Sequence, residues 1–251
     1  MKPMLDAIKL WIEDFKADFV LNFIDSDRWL SLVKGLWSTL QITFFALLIG
    51  IVIGIVVAAV RSTWDKNHEA MAKNKGLGYV VMKILNAICH VYLTVIRGTP
   101  VVVQLMIFYF IIFATSRNGL MVAAIAFGIN SGAYVAEIFR GGILSIDNGQ
   151  FEAGRSLGFN YPQTMIYIIL PQVFKTILPT LCNEFIVLIK ETSVAGYVGV
   201  MDLTKAGDII RGRTFSAFMP LIAVALVYLA IVMVLTYFVR LLERRLRKNE
   251  R

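Results

Sequence analysis

The chain has 251 residues, 58% of them hydrophobic and 17% charged, with a formal charge of +8. One soluble core of this length cannot hide so much apolar surface, so lipid must be the solvent for much of it. The basic residues gather beside apolar segments, which suits a cytoplasmic membrane face better than nucleic acid as the partner. The two cysteines, Cys89 and Cys182, lie in apolar context with no metal spacing and no disulfide framework.

Residues 1–34 carry charge throughout and do not span. Ile8, Trp11, Ile12, Phe15 and Phe19 recur at helical spacing among Glu13, Asp14, Lys16 and Asp18, which predicts an amphipathic helix in the membrane interface. Acids interrupt any signal-peptide core. Leu36 to Val60 is uncharged and long enough to cross about 30 Å of hydrocarbon. In it Ala46, Gly50, Gly54 and Ala58 form a small-residue stripe that admits a second helix at close range. Arg61 to Gly78 reads as a solvated connector. Tyr79 to Ile96 is apolar around Lys83, Asn86 and His90, and His90 has no ligand partner at useful spacing. Arg97-Gly98-Thr99-Pro100 then opens an uncharged run to Ser116, with Pro100 in the first turn of a helix. In the next run, Asn130, Tyr134, Glu137 and Gly141 share one helix face, and Arg140 is the nearest partner for Glu137.

Gln150 to Gln172, QFEAGRSLGFNYPQTMIYIILPQ, is the most distinctive stretch. A short amphipathic helix fits Gln150 to Leu157, with Ala153 and Leu157 on one face and Glu152 and Arg155 on another. Gly158 suits the left-handed position after it, and Asn160 caps a new helix with Pro162 in its first turn. That helix runs to about Lys190 and contains Pro171 and Pro179, each of which removes a backbone hydrogen bond and predicts a kink. Thr176, Thr180, Glu184, Val187 and Glu191 share a face, and Glu184 must meet protein or a water-filled cavity. Ala195 to Arg213 reads as a loop with a short helix near Val200 to Ile210. Thr214 to Val239 is the last span, and six basic residues follow in the tail.

Glu152-Ala153-Gly154, three residues, Gly158, nine residues, then Ile168-x-Leu170-Pro171 resembles the "EAA" loop of ATP-binding-cassette (ABC) importer permeases. The resemblance implies a cytoplasmic coupling helix that docks into an ATPase subunit through Glu152, Ala153, Gly154, Leu157 and Gly158. Gly154 stands where that family usually has a second Ala. Arg97-Gly98-Thr99-Pro100 with its Val-Val-Gln-Leu run resembles the second spanning helix of the polar amino acid importers. The segment from Asn130 through Tyr134 and Glu137 to Gly141, and Lys190-Glu191-Thr192-Ser193, resemble the same group. It implies two permease subunits, as a homo- or heterodimer, two ATPase subunits that hold ATP and Mg, and an extracytoplasmic substrate-binding protein. This chain itself then binds no cofactor and no metal.

The fold expected is an all-α integral membrane protein with five transmembrane helices. An N-terminal segment, 1–34, precedes a permease domain, 35–251, with its coupling loop at 147–162. Lys and Arg divide almost evenly between the two sides, so charge barely sets the orientation. The coupling-loop resemblance places the amino terminus outside and the carboxyl terminus inside a bacterial cytoplasmic membrane. Gln104, Asn130, Tyr134, Glu137, Glu184 and Glu191 are the candidate substrate-pathway residues, the polar groups a zwitterion needs in a low-dielectric passage. No phosphate loop, HExxH or CxxC occurs, so the chain is expected to be neither the ATPase nor an intramembrane hydrolase. A secondary transporter using Glu137 and Glu184 as ion sites is the alternative.

Overall fold

A computed structural model describes residues 2–73 and 76–248. Ten α-helices follow one another: α1 (Lys2–Phe19), α2 (Trp29–Lys73), α3 (Leu77–Gly98), α4 (Val101–Ile107), α5 (Gly119–Ser145), α6 (Asn148–Ser156), α7 (Tyr161–Thr164), α8 (Leu170–Glu191), α9 (Leu203–Thr214) and α10 (Phe218–Lys248). No strand occurs among the described residues. Among the described residues, five helical stretches are long and apolar enough to cross a membrane: within α2, α3 and α5, through α7 and α8, and within α10.

The centre is α5, two-thirds of whose most apolar window is buried. The small-residue stripe of α2 makes that possible. Gly50 meets Gly132 and Ser131 of α5, and Gly54 meets Val135 and Ala136. Gly128 and Gly132 answer from α5, seating Ile49 and Ile53 of α2. Ala46 and Ala58, at the two ends of the stripe, are fully buried. Two backbones that approach so closely gain dispersion contacts along their whole length, the main adhesive available between helices in lipid. One core cluster, around Leu105, Phe127, Leu188 and Val198, fills one half of the bundle. A second, around Phe139, Ile143, Phe151, Ile169 and Val173, fills the half beside α6.

Three expectations need correction. Residues 61–73 are not a loop, because α2 continues as a helix through them and is 45 residues long. Interhelical polar contacts hold this extension: Arg61 donates to Asn86 of α3 at 2.8 Å, Asp65 accepts from Arg140, and Lys66 donates to Asn148 of α6. The same helix starts at Trp29, so the division at residues 34 and 35 falls inside it. The run after Arg97 is not by itself the second span. The second helix long and apolar enough to cross is α3, and after the break at Gly98–Pro100 the shorter apolar α4 and the π-turn Phe108–Ile112 follow it. Leu93 packs beside Ala133, Gln104 bonds Asn130, and Tyr109 lies by Gly119, so the two pieces follow α5 in one direction.

Prolines explain the other irregularities. Pro171 has no N–H to donate, and a π-turn over Met165–Ile169 precedes it, so the chain changes register where the α-helical ladder would fail. Pro179 is accommodated inside α8. At the opposite end of the bundle from α6, buried Asp202 caps α9 by accepting from the N–H groups of Thr204 and Lys205. Burial pushes the Asp202 carboxyl above its usual range, and those N–H groups oppose the shift. Buried Asn22 ties the N-terminal segment to α9 by accepting from the Thr214 hydroxyl at 2.8 Å. Helix α1 leaves Ile8, Trp11, Ile12, Phe15 and Phe19 exposed, the apolar face an interfacial helix needs.

Candidate functional site

The break after α3 builds a polar nest. Ile96 O would ordinarily accept from the N–H of residue 100, which is Pro100 and has none. Gln104 supplies the missing donor. Its Nε2 donates to Ile96 O at 2.8 Å, to Thr99 Oγ1 at 2.8 Å and to Thr99 O at 3.1 Å. The carbonyls of Ile96 and Thr99 accept only, so the Gln104 nitrogen must face them and its oxygen must face Asn130. Asn130 Nδ2 accordingly donates to Gln104 Oε1 at 2.9 Å, and Asn130 Oδ1 is left buried without a partner. The sequence reading placed both amides in the substrate pathway. In the structure Gln104 is saturated, and Asn130 has an acceptor to offer.

One and two turns along α5 lie Tyr134 and Glu137. Arg97, at the end of α3, sits 5.8 Å from the Tyr134 ring centroid and 3.8 Å from Glu137 Oε1. Arg140 donates through Nε and Nη2 to Glu137 Oε2, and through Nη1 to Asp65 Oδ2 at 3.2 Å. Glu137 is therefore compensated by two guanidinium groups. Its pair with Arg140 was the packing alternative that the sequence already offered, and Asp65 and Arg97 are partners that the sequence did not signal. They lie 75 and 43 residues from Arg140 in the chain, and only the extension of α2 and the break after α3 bring them in.

Glu184 faces the other side of α5. Ser131 Oγ donates to Glu184 Oε1 at 2.9 Å, and Ser131 is fully buried. Glu191 lies two turns further along α8, and its Oε2 is buried without a partner. Neither carboxylate has a cation within salt-bridge distance among the described residues. The candidate residues thus separate into an ion-paired group at Glu137 and an uncompensated pair at Glu184 and Glu191, with Asn130 and Ser131 between them on α5.

Helix α6 forms the second candidate surface. Asp147 caps its first turn by accepting from Gly149 N–H. At its end Gly158 adopts φ 79°, its N–H donates to Arg155 O, and Phe159 N–H donates to Gly154 O. These two bonds make a Schellman ending, for which glycine is the favoured residue. Asn160 and Gln163 then form a reciprocal capping box with Pro162 in the first turn of α7. Both turn residues fall where the sequence predicted. Gly154 does not belong to the outer face: a Cβ there would lie 2.6 Å from Thr164 Cγ2, so Gly154 and buried Phe151 face the bundle. Glu152, Ala153, Arg155, Leu157 and Gly158 remain exposed, and Leu157 is 71% exposed, an apolar side chain on a polar surface. Lys66 of α2 secures the inner face, with its Nζ 4.5 Å from the Phe151 ring centroid and 2.7 Å from Asn148 Oδ1.

The family described as "Binding-protein-dependent transport system inner membrane component" matches residues 75–248. The chain belongs to this family. It is also 39% identical over 223 residues to the glutamine transport system permease protein GlnP of Escherichia coli K12, covering 86% of this chain and 93% of that one. With the putative glutamine transport system permease protein GlnP of Rickettsia bellii it shares 35% over 232 residues, 91% of this chain and 98% of that one. Among solved structures, an amino acid ABC transporter crystallised with histidines superposes with a TM-score of 0.75 at 36% identity, covering 89% of this chain and 98% of that one. The MetNI methionine ABC transporter in an inward-facing conformation superposes with a TM-score of 0.70 at 22% identity, which shows a shared fold. The chain is accordingly the permease subunit of an ABC importer. It is non-catalytic, and ATP hydrolysis resides on a separate subunit. Membership selects this reading over the ion-coupled transporter.

Proposed function

We propose that this permease imports a polar amino acid, glutamine being the first to test, through a pathway flanked by α5 and α8. The observation that carries the proposal is the pair Glu184 and Glu191, two carboxylates on α8 with no cation within salt-bridge distance among the described residues. Such charge is costly in a span unless a mobile cation or water meets it. The α-ammonium of an amino acid is that cation. Asn130 Oδ1 adds a neutral acceptor, while Tyr134 and Arg97 offer donors to the α-carboxylate. Glu137 contributes by holding Arg97 and Arg140, and Gln104 by orienting Asn130.

The working assembly in this reading contains a second permease subunit, two ATPase subunits carrying ATP and Mg, and an outer substrate-binding protein. Glu152, Ala153, Leu157 and Gly158 form the surface that meets the ATPase, and Gly154 lets α6 sit close to α7. With α6 inside, the amino terminus lies outside and the basic carboxyl-terminal tail inside a bacterial inner membrane. Closure of the ATPases moves α6, and α2, α5 and α8, packed behind it, carry the motion to the pathway.

The test is Glu184→Gln in proteoliposomes holding the complete assembly. Folded yield and basal ATPase activity should be preserved while substrate-stimulated turnover falls. Parental transport over a range of substrate concentrations by both Glu184→Gln and Glu191→Gln would overturn the pathway assignment.

A further inference from the structure

One apolar cavity has no role in this transport scheme. It is a groove of ≈ 480 Å³ between α2, α8 and α10, lined by Phe44, Leu47 and Ile51 of α2, by Leu178, Leu181, Cys182, Phe185 and Ile186 of α8, and by Leu235, Phe238, Val239 and Leu242 of α10. Its volume falls within the range of small-ligand sites, roughly 300–1,000 Å³. No lining side chain carries an oxygen or nitrogen. The groove opens outward past Phe44 and Phe238, both more than half exposed. Substrate is polar and would gain nothing there.

The groove has a charged end. On α8, Lys175 precedes Leu178 by three residues and Cys182 by seven, so it continues the groove face by one turn. On α10, Arg245 follows Leu242 by three residues and Phe238 by seven, on the same face. The two helices run antiparallel, so both cations fall at the end of the bundle that carries α6. Both are exposed, and neither has an acidic partner among the described residues. An apolar slot with two free cations at one mouth matches one class of molecule available in a membrane, a lipid with an acyl chain and an anionic headgroup. Two features weigh against a second copy of this chain as the occupant. Pairing equivalent faces about a two-fold axis would bring the cations Lys175 and Arg245 of one copy toward those of the other, and neither has an acid within salt-bridge distance among the described residues.

We propose that the groove between α2, α8 and α10 is a binding site for one anionic phospholipid, with an acyl chain between Leu181 and Phe238 and the headgroup phosphate held by Lys175 and Arg245. The lipid would brace α10 against α8, the helix that carries Glu184.

The test titrates the detergent-purified permease assembly with dioleoyl phosphatidylglycerol or dioleoyl phosphatidylcholine and counts bound lipid by native mass spectrometry. One phosphatidylglycerol should bind per permease chain. Near a surface each cation contributes roughly a fivefold preference for the anionic lipid, so the parental preference should be about 25-fold. Lys175→Gln with Arg245→Gln, both exposed and outside the transport machinery, should erase that preference and leave phosphatidylcholine binding unchanged. Leu178→Trp should fill the slot and abolish both. Equal affinity of the parental chain for the two lipids would overturn the proposal, as would a preference that survives the double substitution. So would efficient linkage of Cys182 to Cys182 between copies by a short bis-maleimide, because it would show that a second copy covers the groove.

Discussion

Gln104→Leu is the sharpest test of the polar nest. The substitution keeps approximate volume and apolar packing but removes one donor group and one acceptor. Ile96 O, orphaned by Pro100, loses its substitute partner, and Thr99 and Asn130 Nδ2 lose theirs. Gln104 is 6% exposed, so water cannot replace it without a rearrangement. Two groups left unsatisfied away from water, Ile96 O and Asn130 Nδ2, cost roughly 1–3 kcal/mol each. Taken together the loss should be about 2–6 kcal/mol, enough to deplete folded protein in a marginally stable chain. Gln104→Glu separates the contributions, since it keeps the acceptor for Asn130 but loses the donor for Ile96. Fluorescence-detected size-exclusion chromatography after a heating series reads the effect. Both variants should lose thermal stability, with the leucine variant lower in yield. Parental stability combined with lost transport would refute the reasoning and return Gln104 to the list of substrate contacts.

Arg140→Leu strips the shared partner from Glu137 and Asp65. All three side chains are about a quarter exposed, so the cost should be roughly 2 kcal/mol, below that of a fully buried pair, read as reduced folded yield. The triple substitution Asp65→Asn, Glu137→Gln, Arg140→Leu should recover part of that yield. Glu152→Lys and Leu157→Asp alter the exposed face of α6 while leaving its capping bonds intact. Each should leave membrane insertion unchanged and uncouple ATP hydrolysis from uptake, and normal uptake by both would remove α6 from the docking surface. For orientation, single cysteines at Asn67 and Ala217, in a background lacking Cys89 and Cys182, should react with an impermeant maleimide in intact cells only at position 217. Labelling at position 67 would reverse the topology.

Local rules made much of this fold legible. The Ala46-Gly50-Gly54-Ala58 spacing announced close helix packing, and the structure seats α5 there. Gly158 and Asn160 announced a helix end and a helix start because their chemistry acts within four residues. Five apolar segments gave the number of spans. What local patterns missed were the effects of distant partners. The mixed charges from Asp65 to Lys73 look solvated, yet the residues are good helix formers, and their partners lie on α5 and α6. Gly154 falls within an exposed-looking motif, but Phe151 three residues earlier marks the buried face that it shares. Gln104 lies four residues after Pro100, and that spacing was a readable signal: the side chain reaches back to the carbonyl that the proline orphaned. Nothing local could show that Ser131 reaches Glu184, 53 residues away.

The central claim, ATP-driven import of a polar amino acid through this subunit, is tested most directly by uptake into sealed proteoliposomes. The vesicles contain the permease with its ATPase, radiolabelled glutamine and a substrate-binding protein are supplied outside, and ATP is trapped in the lumen. Ionophores collapse the proton and sodium gradients. Uptake should require both ATP and the binding protein, should continue with every gradient collapsed, and should fall in Glu184→Gln at unchanged basal hydrolysis. Uptake that follows an imposed ion gradient without ATP, or an assembly that moves no polar amino acid under any of these conditions, would contradict the account.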